Sequence, residues 1–334
     1  LGDPRCPITT GAARNCLLLD CGTTEYLLAD DDGLCRLVQA PGAEDGLEIV
    51  SRNDPTQFWF FESREALHSQ LDLQAEVDLL GLHERLLGRS VASLADDSTD
   101  LSGAMPAFES RLRRRGGVVR TSMAGVVGDS GVGSTAYLAA EPRSRARLTV
   151  SEELYRKAVE CRQMLRAPQR SSLSEGFLTI AGNLAIDASS LFPPFPPVQR
   201  NSDGIMGRFL QNCFPASCRA YLNWAVLHDP AAARSQSLER WFDEIRSIRF
   251  ADALTVFLRE RGSEPGLEDP ADALRVLGER FRRLGGMRQE GYVDELRSRL
   301  VSREAARLAH FRRAGIEDSP EFYRALHRRY AEVM

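Results

Sequence analysis

The sequence predicts an α+β fold: a small N-terminal antiparallel β-meander with a helix, followed by a mostly α-helical, multi-helix C-terminal domain. Three observations carry that prediction. Residues 14–61 hold short apolar runs punctuated by Asp-Gly and Asp-Pro, the pattern of strands joined by tight turns. From Thr149 onward, apolar residues recur mainly at intervals of three and four, the period of a helix with one buried face. Between these, residues 95–148 keep neither period for long. The predicted organisation is a mixed β/α domain over 1–94, an irregular linker or insertion over 95–148, and a helical domain over 149–334.

In order along the chain, Asn15 to Cys21 is an apolar run expected as a strand. Glu25–Ala29 and Leu34–Gln39 flank Asp30-Asp31-Asp32-Gly33, which suits a hairpin turn, and Gly46–Val50 is a further short run. Gln57-Phe58-Trp59-Phe60-Phe61 has too many aromatics for a strand with one wet face, so burial on both sides is expected. Residues 63–94 turn helical, with Ser63 as N-cap. Thr149 and Glu152 have capping-box spacing, and Leu154, Ala158, Cys161 and Leu165 form one face of a helix ended by Pro168.

Phe177 to Ile186 is expected as a buried helix, and residues 204–228 as two helices broken at Phe214-Pro215. Leu191-Phe-Pro-Pro-Phe-Pro-Pro-Val198 can be neither helix nor central strand, because proline lacks the N–H and fixes φ. Ser237 to Gly262 is the clearest element, a helix whose face carries Leu238, Trp241, Phe242 and Ile245, with Trp241 and Phe242 at the centre of a core. Asp229-Pro230, Asp269-Pro270 and Ser319-Pro320 each fit an N-cap followed by proline at the first helical position. Gly285-Gly286 and Gly315 fit stops.

The chain has 334 residues, 43% of them hydrophobic, and a net charge of −4. That is ample for a folded core and excludes the global basic footprint of many nucleic-acid binders. The first 150 residues carry 22 acidic residues against 15 arginines, so the front of the chain is the acidic part. No apolar run approaches the roughly 18 residues of a membrane span. No charged region followed by an apolar core marks a signal peptide, and an intracellular location is expected. One of the 43 basic residues is lysine, Lys157. The arginine excess points to a GC-rich genome, of the kind found in high-GC bacteria and some large DNA viruses.

The seven cysteines form no C-x-x-C pair, and an odd number fits reduced thiols. The five histidines never lie three or four residues apart, and no HExxH is present. No metal ligand, catalytic residue or cofactor is assigned. Gly128-Asp129-Ser130-Gly131-Val132-Gly133-Ser134-Thr135 resembles the phosphate loop of small GTPases over eight residues, but Ser134 stands where that family has lysine. The segment is therefore read as a glycine-rich loop. Asp96-Asp97-Ser98-Thr99-Asp100 resembles the metal-binding DDxxD of class I terpene synthases over five residues. With no second such motif, it is read as a solvated acidic loop.

Arg111, Arg113, Arg114, Arg115 and Arg120 form the densest basic cluster, a place for phosphate or nucleic-acid contact. Phe192, Phe195 and Trp241 are the candidate partner-binding aromatics. The expected function is a non-enzymatic interaction or structural protein, such as an assembly or virion component, with protein partners or self-assembly. The alternatives are an enzyme whose site is built from dispersed residues and a nucleic-acid binder using Arg111–Arg120.

Overall fold

In the computed structural model two twelve-residue strands lie side by side and parallel, and the other strands are arranged around them. The structure describes residues 9–129, 135–138, 140–232, 234–235, 237–258, 269–313 and 316–333. Its strands are β1 (Glu25–Ala29), β2 (Gly33–Gln39), β3 (Leu47–Val50), β4 (Gln57–Phe60), β5 (Val118–Asp129), β6 (Gln163–Ala167), β7 (Ser171–Ser174), β8 (Asn183–Asp187) and β9 (Ser217–His228). The helices of the N-terminal part are α1 (Thr10–Cys21), α2 (Arg64–Gln70), α3 (Leu79–Glu84), α4 (Val91–Leu94) and α5 (Pro106–Arg115). Next come α6 (Thr135–Leu138), α7 (Pro142–Leu148), α8 (Glu152–Cys161) and α9 (Ser202–Cys213). The C-terminal helices are α10 (Leu238–Arg246), α11 (Phe250–Leu258), α12 (Pro270–Gly285), α13 (Gln289–Arg313) and α14 (Glu321–Val333).

The class is α+β, but the sheet is neither small, N-terminal nor a meander. None of β1 to β4 pairs with another of that set. β1 pairs β8, β2 pairs β9 and β4 pairs β6, all antiparallel, while β3 runs parallel to β7. The central parallel pair is β5 and β9. β5 gives its other edge to β8 at 121–123 and to β6 at 126–129. β9 likewise pairs β7 at 219–221 and β2 from Trp224 to His228. The sheet thus draws strands from all three stretches, 1–94, 95–148 and 149–334. The helical expectation holds, over the described residues, from Leu238 onward. It fails for Leu165, which lies in β6 because α8 ends at Cys161, for Phe177–Ile186, which carries β8, and for Ser217–His228, which is β9.

The physical reason is burial on both faces. Nine residues of β5 and nine of β9 are buried. Such strands need not alternate apolar and polar side chains. β5 instead contains Arg120, Thr121 and Ser122; Arg120 and Ser122 find partners inside, and the Thr121 hydroxyl is buried without a hydrogen bond. Arg120 Nε lies 3.3 Å from Asp187 Oδ2, and Ser122 Oγ lies 2.9 Å from His83 Nδ1. Polar residues and two glycines made this strand read as irregular. Gly125 sits where the β5–β9 register shifts, and a Cβ there would meet the Arg166 carbonyl oxygen at 2.1 Å. Gly125→Ala is expected to destabilise the protein by about 1–3 kcal/mol, read as a lower urea midpoint at unchanged slope.

Asn15–Cys21 is helix rather than strand, within α1. Leu19 is 77% exposed, so that leucine run is not a core strand at all. α1 docks through Gly11 and Ala12, with the Ala12 N–H donating to the Pro197 carbonyl. Asn15 brackets Phe195: its Nδ2 donates to the Phe195 carbonyl and its Oδ1 accepts from the Phe195 N–H, each at 2.8 Å. The proline-rich segment is thereby held against its own fold.

The Ser237–Gly262 helix is two helices over its described part. Ser237 caps α10 as its spacing predicts, accepting from the Arg240 N–H at 3.2 Å. At Ser247 the backbone turns extended, and Asp252 caps α11 through the Arg249 N–H at 3.0 Å. Trp241 and Phe242 bury in an aromatic cluster with Tyr155, Phe311, Tyr323 and Tyr330, whereas α11 packs on α9 and α13. One straight helix could not face both. Further on, Asp269-Pro270 opens α12 and Gly286 closes it, as the sequence predicts. The cap before α8 is Ser151 rather than Thr149, and no helix begins at Asp229-Pro230. Gly262 and Gly315 lie outside the described residues. Among the described residues, no helix is long and apolar enough to cross a membrane.

Candidate metal centre

Because β5 and β9 are parallel and pair as far as Gly128 and His228, their carboxyl ends meet. Gly128 pairs with His228, and a Cβ on Gly128 would lie 2.3 Å from the His228 carbonyl oxygen. Its φ of +109° also suits glycine. β2 starts on the other side of His228, with Gly33 opposite it, so the turn before β2 is pressed against the end of β9. The Asp229 N–H donates to the Asp32 carbonyl at 2.9 Å, and the Gly33 N–H donates to the Asp30 carbonyl at 3.1 Å. In open sheets, ligands gather at the carboxyl ends of parallel strands.

These pairings bring Asp30, Asp32 and His228 together. One donor atom from each lies within 4.8 Å of the other two. His228 Nε2 is 2.8 Å from Asp32 Oδ1, while its Nδ1 is buried without a hydrogen-bond partner. Guanidinium groups surround the carboxylates. Arg14 Nη2 lies 3.5 Å from Asp30 Oδ1, and Arg14 Nη1 donates to Ser202 Oγ at 2.9 Å. Arg234 reaches Asp32 Oδ2 at 3.0 Å and the buried Asp129 at 3.7 Å. Arg162 lies 3.3 Å from Asp129 Oδ1, presented by a left-handed residue that ends α8. Arg64 is ion-paired with Asp229. Burial pushes the Asp30 carboxyl up; Arg14 and His228 oppose the shift, while Asp32 and Asp203 add to it.

Two carboxylates and one imidazole form a mixed oxygen and nitrogen donor set. Donors about 2.1 Å from an ion lie roughly 3 Å apart, a spacing His228 Nε2 and Asp32 Oδ1 already have. The sequence reading assigned no metal ligand. It read Asp30–Asp32 as a turn and His228 as the end of a helix, and no local spacing joins residues roughly two hundred positions apart. Asp-x-Asp in the turn is the only local trace.

The five arginines of the basic cluster are not one surface. Arg113, Arg114 and Arg115 are exposed in the last turn of α5. Arg111 is half-buried and paired with Glu175. Arg120 is 9% exposed, and its Nη2 donates to the Asp187, Ser190 and Leu191 carbonyls at 2.9–3.1 Å. Phe192 and Phe195 pack with Leu184, Ile186, Met206 and Leu210, and Trp241 is fully buried. All three are core residues of this chain.

The acidic motif at 96–100 is a capped turn: Asp96 Oδ1 accepts from the Ser98 N–H at 2.9 Å, and the Asp100 carbonyl accepts from Ile49 of β3. Residues 130–134 of the glycine-rich segment lie outside the described residues, as does Cys6. The other six cysteines are free, and burial pushes the Cys213 and Cys218 thiols up to about 11. His83 is buried, its Nε2 2.8 Å from Asn183 Oδ1; burial lowers its pKa. No model of a known protein family matches the chain. No curated protein matches its sequence either.

Proposed function

We propose that the protein binds a divalent first-row transition ion, of the manganese, cobalt or zinc class, through Asp30, Asp32 and His228. The observation that supports this reading is the convergence of three donor side chains at the joined ends of β2, β5 and β9. Asp30 is crowded by Asp32 and Asp203, a repulsion a dication relieves. Imidazole nitrogen favours a transition ion over magnesium or calcium. Manganese titration followed by electron paramagnetic resonance tests the reading. The expected result is one ion per chain, with stabilisation of about 2.7 kcal/mol at a hundredfold excess over Kd. Asp32→Asn combined with His228→Gln should weaken binding at least tenfold while the far-ultraviolet circular dichroism is kept. Absence of saturable binding, or undiminished binding by the double variant, would overturn it.

A second reading, a non-enzymatic assembly protein, is supported by Ile248 and Phe250, exposed at the elbow between α10 and α11. Exposed apolar side chains close together suit a partner surface. If this elbow is an assembly contact, light scattering should show an oligomer that Ile248→Ser with Phe250→Ser converts to monomer. A monomeric wild-type chain would remove self-assembly through the elbow. The exposed Arg113–Arg115 turn supports nucleic-acid contact in the same limited way.

A further inference from the structure

We infer that the cation-loaded centre binds a phosphate-class oxyanion, gripped between the ion and the guanidinium groups of Arg14 and Arg234. The inference rests on the cation reading above. Its starting point is charge. Asp30, Asp32, Asp129 and Asp229 face Arg14, Arg64, Arg162 and Arg234, and each arginine is set against one of these carboxylates. Those four ion pairs balance without an ion, and a dication leaves the centre with two positive charges in excess. An anion is then the species that restores balance.

The identity of the two arginines narrows the anion. Arg14 is set against Asp30 and Arg234 against Asp32, the two carboxylates that would ligate the ion. Once the ion takes those carboxylates, both guanidiniums lose their main counter-charge but keep their places. Arg14 stays anchored on Ser202 Oγ, and Arg234 stays beside the Asp129 carboxylate. Arg64 and Arg162 keep their own partners throughout.

A metal ion flanked by two such forks presents donors for more than two oxygens. A tetrahedral oxyanion supplies them, and a carboxylate does not. The centre is reachable, since the side chains of Asp30 and Arg234 are each 42% exposed. The two guanidiniums therefore have opposite effects on two ligands: they compete with the cation and recruit the anion.

That opposition is the test. The full chain is titrated calorimetrically, first with manganese alone, then with inorganic phosphate in the absence and presence of manganese, below the solubility limit of manganese phosphate. Phosphate is expected to bind the loaded chain at least tenfold tighter than the metal-free chain. Arg14→Gln and Arg234→Gln should each weaken phosphate about tenfold while leaving manganese affinity unchanged or a few-fold tighter. A merely structural arginine would weaken both ligands together.

Manganese binding without phosphate binding would overturn this inference and leave the cation reading standing. So would phosphate affinity indifferent to manganese or to both substitutions. Failure of manganese itself would overturn both. Glycerol 2-phosphate, run in parallel, distinguishes the source: its binding assigns an esterified phosphate, and its exclusion beside phosphate binding assigns the free ion.

Discussion

Trp241→Ala is expected to destabilise the protein by about 3–5 kcal/mol, the range for truncating a fully buried aromatic. Trp241 has no exposed surface and packs edge-on against Phe242, with ring centroids 4.9 Å apart. The cluster it fills joins residues of β4, α6, α7, α8, α10, α13 and α14, so the cavity would open where the C-terminal helices meet the sheet. The indole Nε1 is buried without a hydrogen-bond partner. Trp241→Phe loses volume but also removes that orphaned donor, so it should cost clearly less. Urea unfolding followed by far-ultraviolet circular dichroism ranks the three proteins. Equal midpoints for wild type and Trp241→Ala would take Trp241 out of the core and restore it as a partner contact.

The second large effect is a loss of stability on acidification, set by His327. This residue is 9% exposed on α14, with its ring 4.7 Å from Phe311 and 4.8 Å from Tyr323. Burial lowers its pKa to about 4; the Arg145 guanidinium adds to the shift and the Leu138 backbone opposes it. In the unfolded chain the same ring titrates near its ordinary value, about 6.5. Between these two values the unfolded state binds the extra proton, so stability falls as pH drops from about 6.5 towards 4. Above that window the contribution is complete.

The loss amounts to on the order of 2–3 kcal/mol. His327→Leu removes the titration and keeps an apolar ring-sized plug. The difference between wild type and His327→Leu in unfolding free energy should therefore shrink or reverse as pH falls from 7 to 4.5. A difference constant over that range would show that His327 ionises freely in the folded state. His83, also buried with a lowered pKa, adds an acid sensitivity common to both proteins.

Local chemistry was legible at several helix starts. Asp269 caps α12 through the Ala271 and Asp272 N–H groups, and Ser63 caps α2 through Ala66. These bonds span two or three residues and need nothing from the rest of the chain. The apolar face of α10 was equally readable, because a surface helix must segregate its two sides. The aromatic strand Gln57–Phe60 was legible because its composition exceeds what one face can bury.

Where partners are distant the sequence misled. Cys218 to Leu227 has enough leucine and alanine for a helix, yet it lies between three strands and forms β9. Arg219 is 1% exposed there, its guanidinium donating to the Glu175 and Gly207 carbonyls. Nothing within a few residues of Arg219 announces such partners. The basic cluster was dispersed the same way: neighbours in sequence became an ion pair at Arg111, an exposed turn at Arg113–Arg115 and an interior clamp at Arg120.

By itself the sequence determined the α+β class, the starts of α2, α10 and α12, the buried aromatics of α10 and the exclusion of the proline-rich segment from helix and central strand. These follow from periodicity, caps and the fixed φ of proline, which act over a turn or two of chain. The tertiary structure alone decided the order of the sheet and the union of Asp30, Asp32 and His228. Strand pairing is a contact between segments whose separation along the chain leaves no mark on either one. When β5 and β9 align in parallel and β2 closes beside His228, three otherwise unremarkable side chains acquire a shared centre.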